Sequence, residues 1–379
     1  MSDVQIIKVE DKAGLKKFVN VTREVYKDDP NWIQPLSIER MDVLSSSKNP
    51  YFNHADVCLF LARQDGKAVG RISVQIDTLA QEKWGPDLAH FGFFEACNKD
   101  AALALVQAAE QWASERGMKR LQGPWSFSSN EECGMLIDGF DTPPVIMMPH
   151  GRPDYKVWME DMGFKKAKDL FAYAMDIGAN ATPRTAKIHA AAKRSKKIKI
   201  RQIDMKRFDE ELAIVMDIFN DAWSDNWGYV KFTEAEAKHT AQALKPIIKP
   251  YRTWICEYDG ELVAFMVTIP DINHKIRDLN GKLLPFGIFK LLWRMLNGRE
   301  DRVRVPLMGV RKRFQKSAAG ALMPIAMIEE TRQQVYKRGA RFAEMGWILE
   351  DNAGMITMLE EVGGTAYKTN RIWEKPLHN

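Results

Sequence analysis

The feature that most restricts the fold of this sequence is an order of elements that occurs twice. The segment ADVCLFLARQDGKAVGRISVQID (Ala55–Asp77) alternates apolar and polar residues on both sides of an Asp-Gly pair, which predicts two strands joined by a tight hairpin turn. The segment YRTWICEYDGELVAFMVTIPD (Tyr251–Asp271) has the same organisation. Each hairpin precedes a further strand and a long helix, which we expect at Asp100–Arg116 and at Ser317–Arg338. An internal duplication is the simplest explanation.

The chain of 379 residues is longer than one ordinary hydrophobic core supports, so two domains are expected. We place the first at residues 1–180 and the second at 201–379. The segment 181–200 between them is dense in Lys and Arg and is predicted to be a basic linker. It is either a patch for phosphates or an anionic membrane, or a solvated helix that leads into the first strand of the second domain. The second interpretation is favoured because most charge runs are solvated faces.

The composition and the first residues favour a globular protein of a reducing compartment, with no nucleic-acid partner and no metal. The chain is 45% hydrophobic and 28% charged, as globular proteins are. Its formal net charge of +5 permits a polyanionic ligand but does not require nucleic acid, and we expect no nucleic-acid partner. The four cysteines are far apart and lack metal-ligand spacing, which predicts no metal and a reducing compartment. The first residues lack the basic and apolar regions of a secretory signal, which favours the cytoplasm.

A run of small residues lies ahead of the second long helix, in VRKRFQKSAAGAL (Val310–Leu322). It directly follows a predicted strand, RVRVPLMGV (Arg302–Val310). Small side chains would let a polyanion reach consecutive backbone N–H groups at the helix N-terminus. The alternative is an Ala-rich helix start with Ser317 as its N-cap. Both interpretations remain open from these residues alone.

In this context the loop resembles the acyl-CoA site of the GNAT N-acyltransferase superfamily, whose pattern is Gln/Arg-x-x-Gly-x-Gly/Ala. The matching residues are Gln315, Ala318 and Gly320, and Ala318 departs from the preferred Gly. A second segment, RFAEMGWILEDNAGMITMLEEVGG (Arg341–Gly364), is similar to the last conserved block of that superfamily. The resemblance implies an α/β fold of two tandem GNAT-like domains, each a mixed, mostly antiparallel sheet flanked by helices.

The resemblance also implies acyl-CoA as co-substrate, with its pantetheine arm between two strands that splay apart. Leu359 stands where the superfamily often has a Tyr that protonates the leaving thiolate. The residues implied to bind acyl-CoA are Met308, Val310, Gln315, Lys316, Ser317, Ala318, Ala319, Gly320 and Asn352.

The first half also resembles a GNAT domain, because YKVWMEDMGFKKAKDL (Tyr155–Leu170) is similar to the closing helix of such domains. Its strand-to-helix connection, FGFFEACNKDAALAL, lacks the phosphate-binding pattern. There we expect Asp100 to cap the helix, and an acidic residue at that place repels phosphate. The sequence therefore predicts one acyl-CoA site, in the second half.

Amide formation requires a base for the attacking amine and donors for the tetrahedral oxyanion, for which backbone N–H groups at the splayed strand are suited. The candidate bases are Glu344, which is ranked first because it lies on the strand itself, and Glu350 and Asp351 at the end of that strand. The last two could equally cap the following helix.

Two segments are candidates for contact with the acceptor. In FNDAWSDNWGYV, the residues Trp223, Asn226 and Trp227 either line the acceptor site or, for the two Trp, pack in the core. The insertion LPFGIFKLLWRMLNG (Leu284–Gly298) is apolar almost all round, with Phe289 and Leu292 as candidate substrate contacts. It either covers a core or lies on a membrane surface, since about a dozen residues cannot cross a bilayer, which takes roughly 20.

Taken together, these motifs resemble those of the bacterial GNAT-type ceramide synthases, a resemblance that implies N-acylation of a sphingoid base in sphingolipid biosynthesis. The implied partners are a long-chain acyl-CoA and a lipid amine, with peripheral contact at the inner membrane face as an extension of a cytoplasmic location. Two alternatives are a GNAT acetyltransferase acting on a small polar amine or a protein lysine, and a non-catalytic acyl-CoA-binding or lipid-binding module.

Overall fold

The computed structural model describes residues 3–377 and confirms both predicted hairpins. In the first hairpin the turn residues Asp65 and Gly66 have φ angles of 51° and 78°. In the second, Asp259 and Gly260 have φ angles of 53° and 87°. Two successive positive φ angles define the turn type that matches the right-handed twist of paired strands. The same local chemistry therefore builds the same hairpin in both halves of the chain.

The strands fall in the order that the duplicated pattern predicts, and short additional strands join them. They are β1 (Gln5–Lys8), β2 (Ala55–Gln64), β3 (Lys67–Asp77), β4 (Leu88–Ala96), β5 (Arg120–Gly123), β6 (Trp125–Ser126), β7 (Glu132–Cys133), β8 (Met135–Asp138), β9 (Lys165–Asp176), β10 (Ile198–Gln202), β11 (Thr253–Tyr258), β12 (Glu261–Pro270), β13 (Arg302–Val310), β14 (Phe342–Leu349) and β15 (Thr365–Pro376).

The two long predicted helices are α5 and α13 in the following series. The α-helices are α1 (Lys12–Asn20), α2 (Thr22–Val25), α3 (Ser37–Val43), α4 (Thr78–Trp84), α5 (Lys99–Ser114), α6 (Asp154–Asp161), α7 (Pro183–Arg194), α8 (Phe208–Trp223), α9 (Glu234–Leu244), α10 (Ile272–Ile276), α11 (Gly287–Asn297), α12 (Lys312–Gln315), α13 (Ala318–Tyr336) and α14 (Ala353–Glu361).

The structure tests two predictions about helices, the N-cap of α5 and the form of the basic segment. The cap predicted for α5 was wrong: Asn98, not Asp100, accepts a hydrogen bond from the Ala101 N–H at 2.9 Å. An Asx side chain immediately before the first helical residue reaches that N–H, whereas Asp100 already lies within the first turn. The basic segment forms α7 and then leads into β10, as predicted, but Thr185, His189 and Ala192 of α7 are buried, so the helix is solvated on one face only.

Contacts divide the chain into two compact units. The first consists of Met1–Leu170, Asn273–Leu292 and Lys368–Asn379, and the second of Phe171–Ile272 and Trp293–Tyr367. The first unit thus includes a segment from late in the sequence and the C-terminal end. The predicted domains at 1–180 and 201–379, with a linker at 181–200, stay a prediction about independent folding.

The sheets of the two units have the same pattern. In the first, β1, β2, β3 and β4 pair antiparallel and β4 pairs parallel with β5. In the second, β10, β11, β12 and β13 pair antiparallel and β13 pairs parallel with β14. One long helix packs in each core, α5 in the first and α13 in the second. The predicted fold class, a mixed and mostly antiparallel sheet flanked by helices, is confirmed.

Candidate functional site

The parallel strands β13 and β14 separate part-way along their length. Their register runs from the Arg302–Phe342 pair to the Val305–Met345 pair and then ends. Pro306 follows on β13, and its ring nitrogen has no hydrogen to donate to a continuing ladder. Beyond this point the main-chain groups of the two strands are not paired with each other. The splay that the resemblance implied is therefore present in the second unit.

A cavity of about 680 Å³ opens where the ladder ends. One wall is the end of β13, at residues 308–310, and the facing wall is the end of β14, at residues 347–349. The N-terminal part of α13, together with α14, also lines it. This volume lies in the range of small-molecule and cofactor sites.

The N-terminus of α13 borders this cavity. Ser317 caps the helix, and its Oγ accepts a hydrogen bond from the Gly320 N–H at 3.0 Å. Within residues 3–377, the structure records no partner for the backbone N–H groups of Ala318 and Ala319. Two such groups at a helix N-terminus form a suitable site for an anion. Both interpretations of the small-residue run are thus compatible: it is an N-capped helix start, and it also carries two N–H donors without a recorded partner.

Gly320 is required by its surroundings. A Cβ at this position would lie 1.9 Å from the carbonyl oxygen of Phe314, which is backbone and cannot rotate away. The glycine lets the turn after α12 pack directly against the first turn of α13. A substitution here would displace the turn itself, so Ala318, which is exposed, is the better position for a test.

The basic residues ahead of α13 differ in their partners. Arg311 pairs with Asp217, Arg313 pairs with Glu261, and the Lys312 ammonium lies 2.6 Å from Asp225. For Lys316, the described part of the chain provides no recorded ion pair. Lys316 is therefore the cation of this group whose charge is available to an incoming anion.

The structure brings seven of the predicted site residues to the cavity wall. Four of them form two hydrogen-bonded pairs with one another. The Gln315 amide donates to the carbonyl of Val310 at 2.9 Å, and Trp223 Nε1 donates to the carbonyl of Met308 at 3.0 Å. The predicted residues that line the cavity are Trp223, Asn226, Met308, Val310, Gln315, Gly320 and Asn352.

The other predicted residues lie off the wall. Lys316, Ser317, Ala318 and Ala319 form the turn next to it, and Trp227 is half-buried without lining it. Asn352 has a second role, since its Oδ1 caps α14 by accepting from the Met355 N–H at 3.1 Å.

The three candidate bases have different environments. Glu344 is fully buried, with its Oε1 3.3 Å from Arg304 Nε, and it also accepts a hydrogen bond from the Tyr367 hydroxyl. Arg304 in turn donates to the carbonyl of Gly346 at 3.0 Å, at the point where β14 leaves β13. Glu350 is half-buried and Asp351 is exposed. Glu344 is held in an internal ion pair and is not among the residues that line the cavity.

The apolar insertion forms α11, in which no residue is buried. Phe289 is 67% exposed, Leu292 52% and Trp293 65%. The interpretation of this helix as the cover of a core was therefore wrong. Phe289 and Leu292 are exposed and do not line the cavity, so their role as substrate contacts remains a prediction.

In the first unit, β4 and β5 correspond to β13 and β14, and the place that corresponds to the gap between β13 and β14 is filled by backbone. A Cβ on Gly92 of β4 would lie 1.9 Å from the Trp125 carbonyl oxygen, and a Cβ on Gly123 would lie 2.2 Å from that of Phe91. Only glycines allow two segments to approach this closely. The gap that holds the cavity in the second unit is thus occupied here by the chain's own backbone. The prediction of a single acyl-CoA site, in the second unit, stays a prediction.

Sequence reasoning missed several residues of the cavity wall. Arg184, in the basic segment, and Glu361, in the Arg341–Gly364 segment, form an ion pair of 2.5 Å at the cavity, and no sequence pattern pairs two residues so far apart. Pro324 lies within α13 and lines the cavity, and a proline inside a predicted helix was a usable signal. Trp347 follows Gly346 in the quoted strand segment and contacts Trp223, with ring centroids 5.7 Å apart.

Sequence reasoning also missed a buried polar cluster in the first unit. Glu95 accepts hydrogen bonds from the hydroxyls of Tyr26 and Tyr155, and the Arg71 guanidinium lies 3.7 Å away. Burial raises the pKa of Glu95 to about 7, against the opposing effect of Arg71. The residue lies in the quoted segment FGFFEA, where a single carboxylate among aromatic residues was the available signal.

Residues 3–377 lack two features that would bear on function. No group of His, Cys, Asp or Glu side chains in this range is arranged to hold a metal ion. In the same range, no helix combines the length and apolar character that crossing a membrane requires.

Comparison with known proteins identifies close relatives. No family model matches the chain. The chain is 42% identical over 378 residues to a protein named bacterial ceramide synthase from Caulobacter vibrioides (strain NA1000 / CB15N), with 99% of this chain and 98% of the relative covered. It is 43% identical over 368 residues to Protein YghO of Escherichia coli (strain K12), covering 97% and 94%.

Among solved structures, a tandem GNAT protein from the clavulanic acid biosynthesis pathway matches with a TM-score of 0.58 at 12% identity, covering 100% of this chain and 99% of that chain. This likeness shows the fold, and the two relatives show the family. At 42% identity over nearly its whole length, the chain belongs to the family of the bacterial ceramide synthase and is an N-acyltransferase with a tandem GNAT fold.

Proposed function

We propose that this enzyme transfers a long-chain acyl group from acyl-CoA to the primary amine of a sphingoid base. The observation that carries the proposal is the cavity between the diverging ends of β13 and β14, bordered by the N-terminus of α13. The name of the Caulobacter relative supports ceramide as the product, because a ceramide is an N-acylated sphingoid base.

In this proposal the pyrophosphate of acyl-CoA binds at the start of α13. The N–H groups of Ala318 and Ala319 donate to its oxygens, and the positive end of the helix dipole and Lys316 supply charge. The pantetheine arm extends into the cavity between Met308 on β13 and Asn352 at the start of α14. The thioester then lies where the ladder ends, beside unpaired main-chain groups that can donate to an oxyanion.

The reaction needs no covalent enzyme intermediate. The neutral amine attacks the thioester carbonyl carbon, the oxyanion collapses, and the carbon–sulfur bond breaks as the amide forms. The amine nitrogen loses its proton to a base, and the CoA sulfur leaves as a thiolate. Leu359 is buried and apolar, so it supplies no acid to the thiolate. A thiol is far more acidic than an alcohol or an amine, so the thiolate leaves without obligatory protonation.

Of the three candidate carboxylates, we assign the base to Glu350. It is half-buried and directly follows Leu349, which lines the cavity, and it comes two residues before Asn352; like Glu344, it is not itself among the lining residues. Glu344 is occupied by Arg304 and Tyr367, and Asp351 is exposed to solvent. The role of Glu344 is then structural: together with Arg304 it fixes the point at which β14 leaves β13.

The acceptor is a lipid amine, and we propose that α11 contacts the surface of the membrane that contains it. The helix exposes a set of large apolar side chains, and its Arg294 and Lys290 are basic. Lys290 pairs with Asp278, which leaves its charge partly neutralised. A helix of this length and composition lies in the interface of a bilayer rather than across it.

Titration of the full-length protein with palmitoyl-CoA and acetyl-CoA tests the proposal. We expect one palmitoyl-CoA per chain with tighter binding than acetyl-CoA, and release of CoA thiol only when a sphingoid base is added. Preference for acetyl-CoA with turnover on small polar amines would instead identify an acetyltransferase. Tight palmitoyl-CoA binding without turnover on any amine would identify a binding module.

A further inference from the structure

Two smaller cavities continue from the main cavity into the core of the second unit. The first, of about 40 Å³, shares Trp223, Met308 and Met355 with the wall of the main cavity. The second, of about 20 Å³, shares Val305, Ile328 and Met345 with the wall of the first. The three spaces therefore lie in series, each separated from the next by a few side chains.

One face of α13 forms a common wall along this series. Pro324 lines the main cavity, Ile328 lines both smaller cavities, and Thr331 and Val335 line the last. Residues at spacings of three and four lie on the same face of a helix. From Pro324 to Val335 this face extends about 16 Å at 1.5 Å per residue.

The side chains between the cavities are apolar and adaptable. Met308 and Met345 are unbranched and can change conformation to admit a ligand. Protein interiors are normally close-packed, and small apolar voids remain dry and reduce stability. A series of such voids next to a substrate cavity is expected where a flexible chain inserts.

The series ends at polar groups. Thr268 and Thr331 line the last cavity, and in the described part of the chain neither hydroxyl has a recorded hydrogen-bond partner, although both residues are buried. A buried hydroxyl without a partner is unfavourable for an alkyl group and suits a water molecule. These two residues therefore mark the end of the apolar path.

We propose that the fatty acyl chain of the donor lies along this face of α13, and that Ile328 limits its length. The inference rests on the proposed function, and its ligand is a long, straight alkyl chain attached to a thioester. The chain of the sphingoid acceptor has the same chemistry. The donor is favoured because the path begins where β13 and β14 separate, beside the helix whose N-terminus borders the cavity.

Binding of acyl-CoAs of different length to two variants tests this inference without any turnover. Ile328→Trp should raise the Kd of palmitoyl-CoA at least tenfold and leave the Kd of acetyl-CoA within twofold, because only a long chain reaches residue 328. Ile328→Ala should shift the preferred chain length upward, with stearoyl-CoA gaining on palmitoyl-CoA. Leu322→Ala is the matched control, since it removes a similar side chain from the same helix and does not line any of the three cavities.

The possible failures are distinguishable. Absence of binding to every acyl-CoA in the unaltered protein would overturn the proposed function and this inference together. Palmitoyl-CoA binding with the same ratio of long-chain to short-chain affinity in folded Ile328→Ala and Leu322→Ala proteins would overturn only the inference. If the Ile328 variants had a changed KM for the long-chain amine but bound palmitoyl-CoA as the unaltered protein does, the path would be assigned to the acceptor and the donor assignment would be refuted.

Discussion

Replacing Phe289 and Leu292 with aspartate distinguishes two roles of α11, contact with a membrane and support of the fold. The two side chains are 67% and 52% exposed, so they are available for burial in a lipid interface. Full burial of such a side chain contributes about 1.5–3 kcal/mol. Scaled by the exposed fractions, the pair contributes about 2.5 kcal/mol, which corresponds to a loss of membrane affinity of roughly 70-fold.

The fold should tolerate this double substitution, because changes at exposed positions usually alter the free energy of unfolding by less than about 0.5 kcal/mol. The assay is co-sedimentation with vesicles that contain anionic phospholipid, together with melting curves and the rates with octanoyl-CoA and palmitoyl-CoA on a vesicle-borne sphingoid base. Ile38→Asp with Val157→Asp is the matched control, since these residues are 62% and 54% exposed and lie outside α11.

We expect the α11 variant to lose vesicle binding and palmitoyl transfer while its melting temperature and that of the control stay unchanged. Undiminished vesicle binding and an unaltered ratio of the two rates, in a folded variant, would refute the role of α11 in lipid contact. A lowered melting temperature with equal loss of all activities would show instead that the helix supports the fold.

Three further predictions concern the second-unit cavity and the first-unit cluster. Ala318→Glu should weaken palmitoyl-CoA binding by on the order of tenfold, about 1.4 kcal/mol, through repulsion of phosphate, whereas the neutral Ala318→Gln should not; equal effects would exclude an electrostatic role. Glu350→Gln should lower kcat on the order of 100-fold with unchanged acyl-CoA affinity, and normal turnover would return the base to Glu344 or Asp351. The raised pKa of Glu95 near 7 means that the folded state retains a proton that the unfolded chain loses near pH ~4.3, so stability should fall as pH rises from about 4 to 7, by on the order of 3 kcal/mol. Glu95→Gln should abolish that slope in denaturant titrations, and a slope that persists would assign it to other groups.

The parts of the fold that could be predicted depend on short stretches of sequence. Each hairpin is determined by an Asp-Gly turn and the alternation beside it, and α13 begins where Ser317 caps it. The splay between β13 and β14 was implied by resemblance, and Pro306 directly follows Val305, the last residue of β13 that pairs with β14. Seven wall residues were found because they cluster around those elements.

The parts that could not be predicted depend on contacts between distant segments. The register of two parallel strands sets Glu344 opposite Arg304, 40 positions apart, and this turns a plausible base into half of a buried ion pair. No local pattern specifies that register, because side-chain alternation is the same for every shift of two residues. The exposure of α11 and the cluster around Glu95 also depend on what packs against them.

Mass spectrometry of the product formed from palmitoyl-CoA and a sphingoid base tests the central claim most directly. With the unaltered full-length protein, we predict an amide-linked palmitoyl group on the amine, formed in a one-to-one ratio with free CoA. At sub-saturating palmitoyl-CoA, the rate of its formation should fall on the order of tenfold in Ala318→Glu but not in Ala318→Gln. An acylated hydroxyl instead of the amine, or no acylated product while palmitoyl-CoA binds stoichiometrically, would contradict the account.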